Sequence, residues 1–125
     1  MKNIETKNAP KAVGPYSQAI LIKNTLYVSG QLPFDPKTNQ LISDDISLQT
    51  KMCLNNILGV VEEAGFKKEN IVKCSVYMTD LNQFSLMNSV YESFFLNHKP
   101  ARVTIEVRRL PKDVLIEIDA IAVSE

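Results

Sequence analysis

No stretch of the chain approaches the roughly 20 consecutive apolar residues that a membrane-crossing helix needs. Its first ten residues, MKNIETKNAP, also lack the apolar segment of a secretion signal, so the expected compartment is the cytoplasm. Cysteine and histidine are scarce: Cys53 and Cys74 stand far apart, and His98 is the single histidine. That supply excludes a zinc ligand set and a disulfide framework, and two structural thiols in a reducing compartment are the expectation. A lone histidine with no nucleophile elbow near it also excludes a recognisable hydrolase triad. The four glycines form no phosphate-cradling loop. Charge of one sign is missing too, with 14 Lys plus Arg against 14 Asp plus Glu. There is no global positive field to hold a polyanion, and nucleic acid would need a local patch.

What is present fits one globular domain over residues 1–125, with 45% hydrophobic and 22% charged residues. Two short β-like runs, Tyr16 to Ile22 and Thr25 to Leu32, are joined at Lys23 and Asn24 as a hairpin. The loop PFDPKTNQ follows, its two prolines opposing regular structure. From about Ile46 to Ala64 the apolar spacing shifts to threes and fours, through Leu48, Met52, Leu54, Ile57, Leu58, Val61 and Ala64, which is the pattern of a helix face. Asp44 or Asp45 can cap its start and Gly65 its end. NIVKCSVYMTD then alternates as a strand. Asn82 offers a cap for a second helix with the stripe Phe84, Met87, Tyr91, Phe94 and Phe95.

The C-terminal stretch KPARVTIEVRRLPKDVLIEIDAIAV holds two more strands. In the first, Val103, Ile105 and Val107 alternate with Arg102, Thr104 and Glu106, so Arg102 opens the polar face of a half-buried strand. In the second, Leu115, Ile121 and Val123 share a face with Glu117 and Asp119, while Ile116, Ile118, Ala120 and Ala122 share the other. The order is ββαβαββ, an α+β fold in which two helices cover one face of a sheet. The second face is apolar enough to call for another subunit.

Two side chains in this stretch bear on chemistry. Arg102 is permanently charged and can grip a carboxylate through two parallel hydrogen bonds, or serve as a surface ion pair. Glu117 sits among isoleucines, where partial burial favours a general base acting on water; the other reading is a solvated edge or a pair with a base such as Arg109. Tyr16 follows a Gly-Pro turn, to present a hydroxyl or simply to pack. Ser29 lies in the small, polar SGQ break, where Gly30 permits close backbone approach.

GPYSQA at 14–19, VSGQLP at 28–33, AGF at 64–66, VYMTDLNQF at 76–84, NSVYESFF at 88–95 and PARVTIEVRRLPKDVLIEIDAIA at 100–122 together resemble the RidA/YjgF family over nearly the whole chain. The resemblance implies a chorismate-mutase-like mixed sheet in a homotrimer, with the uncovered sheet faces forming a central barrel and ligand clefts between subunits. It implies cofactor-free hydrolysis of reactive 2-imino or enamine acids, such as 2-iminopropanoate and 2-iminobutanoate, to 2-oxo acids and ammonia. It implies that Arg102 binds the substrate carboxylate, that Glu117 positions or activates water, and that Tyr16, Ser29 and Asn88 line the cleft. Thr104 stands where such proteins often carry Cys; it is expected to contact ligand, and it bears on substrate preference. A non-catalytic 2-oxo acid binding module uses the same arginine, and RNA cleavage or a chaperone-like role are further readings. Neutral charge and the absence of an aromatic-basic platform speak against RNA.

Overall fold

The computed structural model describes residues 1–125. Its main sheet has six strands: β1 (Lys2–Ile4), β2 (Ala19–Ile22), β3 (Thr25–Gln31), β6 (Ile71–Met78), β7 (Ala101–Glu106) and β8 (Ile116–Val123). Their spatial order is β1-β2-β3-β8-β6-β7. Only β6 and β7 run parallel, joined by a crossover through a helix, as parallel neighbours require. The Lys23–Asn24 hairpin forms as read, with Ile22 opposite Thr25 and Lys23 at φ 54°.

Three boundaries differ from the sequence reading. β2 begins at Ala19, because Gly14 (φ 126°) and Pro15 hold residues before it in a loop. PFDPKTNQ contains a small hairpin, β4 (Phe34–Asp35) with β5 (Gln40–Leu41), since Asp35 stabilises the turn through the Lys37 amide and Asn39 adopts positive φ. β1 also pairs at the edge, where three residues carry too little alternation to be seen.

Helix α1 spans Ile46–Glu63. Asp45, in extended conformation, accepts from the Leu48 amide, and Gly65 (φ 83°) closes the other end as its amide bonds Glu62 while that of Phe66 bonds Val61. The buried stripe runs through Cys53, Leu54, Ile57, Val60 and Val61, while Leu48 stays half exposed. Burying each large aliphatic contributes about 1.5–3 kcal/mol, against a few tenths lost to each β-branched residue in a helix. Packing therefore decides this helix.

Helix α2 spans Phe84–Phe95. Asn82 does not cap it: Asp80 accepts from the Asn82 amide and caps a short 3-10 turn, Leu81–Gln83, which leads into the helix. The extended conformation that a capping residue needs falls at Asp80.

Both helices lie on one sheet face: α1 packs over Ile116, Ile118, Ala120 and Ala122 of β8, and α2 packs beside α1. The opposite face carries Tyr27, Tyr77, Val103, Ile105, Ile121 and Val123, none of them fully buried. β7 inverts the expected sense. Its apolar Val103 and Ile105, 41% and 42% exposed, lie on the uncovered face, and its polar Arg102 and Thr104 turn toward α2. The reason is that α2 presents Asn88 and the Tyr91 ring to this strand, which suit a guanidinium better than an isoleucine.

Candidate active site

Two clusters of polar side chains stand out, one on each face of the sheet. On the helix side, Arg102 Nη1 donates to Asn88 Oδ1 at 2.8 Å. Its guanidinium carbon lies 4.7 Å from the centre of the Tyr91 ring and 5.5 Å from that of Phe84. Phe84, Asn88 and Tyr91 fall four and three residues apart, so one stripe of α2 supplies all three contacts. Neither Nε nor Nη2 of Arg102 has a partner within the chain, which leaves a fork free for an anion. The guanidinium borders a cleft of about 330 Å³ whose walls include Asn88, Tyr91, Glu92, His98 and Lys99.

Beneath this cleft the groups are inert. Burial pushes the Cys74 thiol up to about 11 and raises the Tyr91 phenol well above its ordinary value, the nearby Cys74 adding to the latter. The Thr104 hydroxyl is buried without a hydrogen-bond partner. His98 turns its Nε2 to the Ile71 carbonyl at 2.6 Å, so its tautomer serves the backbone.

The second cluster forms on the open face. Between Val28 and Gln31 the β3–β8 register slips, and Ser29 and Gly30 together oppose Asp119 in a β-bulge. The Glu117 side chain lies over Gly30 so closely that a Cβ there would coincide with its carboxylate. Burial, and then the charge of Asp119, raise the Glu117 carboxyl above its ordinary value. It accepts no hydrogen bond from the chain, and Arg109, the alternative partner read from the sequence, pairs instead with Asp113 at 2.7 Å.

Ser29 ties the bulge to the loop that carries Tyr16. Its hydroxyl donates to Ser17 O at 2.6 Å, and its amide to Gln18 O at 2.9 Å. Tyr16 itself is 53% exposed, its ring against Gly14. The loop is fixed from behind by buried Gln18, whose amide nitrogen donates to the carbonyls of Thr6, Ala9 and Pro10.

Within one chain, then, Arg102, Asn88 and Thr104 share the helix side, while Glu117, Ser29 and the Tyr16 loop share the neighbourhood of the bulge on the other. The sequence reading missed the aromatic cradle of Phe84 and Tyr91, because a stripe at helical spacing looks the same whether it packs on a core or on a cation. No three His, Cys, Asp or Glu side chains converge as a metal site, and no helix is long and apolar enough to cross a membrane.

Residues 6–124 match the family model described as Endoribonuclease L-PSP. The crystal structure of the YjgF gene product from E. coli superposes with a TM-score of 0.97 at 47% identity, covering 100% of both chains. The chain belongs to the RidA/YjgF family. Among its RidA/YjgF relatives, a RutC family protein of Pyrococcus horikoshii is 52% identical over 122 residues, 98% of this chain and 97% of the relative. A Salmonella typhimurium protein named 2-iminobutanoate/2-iminopropanoate deaminase is 49% identical, over 98% of this chain and 97% of its own length. Names within the RidA/YjgF family thus span deaminase and endoribonuclease, and the chemistry of this chain rests on its own side chains.

Proposed function

We propose that this protein hydrolyses small 2-imino acids to 2-oxo acids and ammonia, in sites built between copies of the chain in a homotrimer. The observation that carries the reading is the free guanidinium fork of Arg102, held by Asn88 and Tyr91 at the mouth of a cleft. A guanidinium so held offers two parallel donors to one carboxylate. Glu117 supplies the proton-transfer group, and it lies on the other sheet face of the same chain; pairing the helix-side half of one copy with the bulge-side half of another completes the site. The apolar open face, with Val103 and Ile105 exposed, supports association of that kind. The deaminase name of a 49% identical relative supports the chemistry.

The reaction needs little beyond placement, because an iminium carbon is already electrophilic. Arg102 holds the substrate carboxylate. Water bonds to C2 as its proton passes to the Glu117 carboxylate, and the C=N π pair moves to nitrogen, giving a carbinolamine. The Glu117 carboxylic acid returns the proton to nitrogen, the C–N bond breaks, and ammonia leaves. The departing ammonia takes the remaining hydroxyl proton, which gives ammonium and the 2-oxo acid. Tyr16 and Ser29 border the bulge side of this space, and Thr104 lies one residue pair along the strand from Arg102.

The test generates the imine with a dehydratase and sets hydrolysis against a trapping agent, reading 2-oxo acid formation. Wild type accelerates the reaction over the uncatalysed control; Arg102→Ala and Glu117→Ala, folded by circular dichroism, do not. A well-folded wild type without effect on any of several imines, but binding 2-oxo acids through Arg102, would replace this reading with that of a carboxylate-binding module.

A further inference from the structure

Glu117 has a neighbour that the mechanism leaves unused. Asp119 is two residues along β8, so both carboxylates project from the same sheet face. Their hydrogen bonding differs sharply. Asp119 Oδ1 accepts from the Ser75 amide at 3.2 Å, and Oδ2 accepts a long bond from the Tyr77 hydroxyl at 3.5 Å. Ser75 and Tyr77 are the residues of β6 directly opposite Asp119 and Glu117. Glu117 has no donor in the chain and rests on the bare backbone of Gly30.

We propose that Glu117 and Asp119 form a coupled carboxyl pair, in which Asp119, anchored by Ser75 and Tyr77, holds the negative charge and Glu117 is the member that exchanges the proton. Two carboxylates sharing a half-buried face resist simultaneous ionisation, and donors aimed at one of them assign it the charge. Asp119 is therefore a positioning residue for the proton, acting on the reaction through Glu117. The surroundings leave this assignment intact. The groups flanking the pair on this face are Tyr27 and Ser29 from β3, Lys73 and Tyr77 from β6, and the apolar Val103 and Ile105 from β7. From the helix side the titratable groups that feel the pair are buried Cys53, against Glu117, and buried Cys74, against Asp119. Lys73 stands opposite Ile121, two residues beyond Asp119 on β8 and four beyond Glu117, so the cation flanking this face is nearer in register to Asp119. The raised proton affinity of Glu117 agrees with the pair.

This inference rests on the proposed deaminase for its functional meaning, but it is readable without activity. Carboxyl ¹³C shifts of Glu117 and Asp119, titrated in the assembled protein, report each proton directly. In wild type Glu117 titrates above the ordinary glutamate range. In Asp119→Asn its midpoint falls yet stays above ordinary, since burial against Gly30 persists; in Asp119→Glu it returns toward wild type. The acid limb of the rate–pH profile moves with Glu117 in each variant. An unmoved Glu117 midpoint in Asp119→Asn overturns the pair. Shifted midpoints in a protein that hydrolyses no imine would sustain the pair and sink the deaminase reading instead.

Discussion

Replacing Gly30 by alanine separates stability from chemistry at one position. The φ of Gly30 lies outside the left-handed region, so the backbone accepts alanine. The new methyl would overlap Glu117 Oε2, lie 2.9 Å from its Cδ and 3.3 Å from its Cγ, whereas ordinary contact begins near 3.4 Å. The obstructing atoms are the end of a flexible side chain, which turns aside by rotation. Overpacking of this kind costs about 1 kcal/mol, the lower end of the usual range. The carboxylate, however, must move by more than an ångström, and a misplacement of that size costs on the order of 100-fold in rate. Gly30→Ala is thus expected to melt within a few degrees of wild type, as a cooperative unit, and to lose about two orders of magnitude in kcat for imine hydrolysis. The substrate KM changes little, because Arg102 is untouched. Full activity with the Glu117 carboxyl shown to be displaced would refute its role in proton transfer.

Two further outcomes follow from the same packing. Gly59 lies within helix α1, where alanine ordinarily gains about 1 kcal/mol. Here its Cβ would stand 2.5 Å from the Asn8 carbonyl oxygen and 3.1 Å from the carbonyl carbon. Backbone cannot swing away as a side chain does, so Gly59→Ala is expected to destabilise by about 1–3 kcal/mol. Chemical denaturation measures this, and a gain in stability would show that the N-terminal segment yields freely. Glu117→Gln is expected to raise stability at neutral pH while removing activity. Glu117 binds its proton more tightly folded than unfolded, so its contribution is fully present below the unfolded value and is lost as pH rises through the folded one. Denaturation at pH 8 should therefore favour the glutamine variant over wild type more than denaturation at pH 4 does; an equal difference at both would contradict the burial of that carboxylate.

Much of this architecture was legible because local signals agreed. α1 declared itself through spacing, a capping aspartate at 44 or 45 and a terminal Gly65, all three consistent with one helix. The two faces of β8 were separable because isoleucine and alanine alternate there with acids. β7 misled for a physical reason: alternation reveals two faces and not which one a helix covers, and here the cover carries Asn88 and Tyr91. Arg102 and Glu117 were nameable as chemistry-bearing residues from charge and context. Their placement on opposite sides of one sheet was not, since it depends on β6 lying between β7 and β8. Gly30 illustrates the remaining gap. A small residue in a strand signals close approach, but only the register slip between Val28 and Gln31 shows that Glu117 is what approaches.

The position of β8 also governs the order in which the molecule can be made. Last of the strands in the chain, it lies between β3 and β6 and bonds to both. During synthesis the β2–β3 hairpin and α1 emerge early, but their sheet has no centre until residues 116–123 follow. Pairings so distant in sequence are formed late and slowly. Until then β3 and β6 each present an unpaired edge beside apolar side chains, a combination that invites aggregation. A nascent chain of this protein is therefore most exposed to misassembly in the interval before residues 116–123 leave the ribosome.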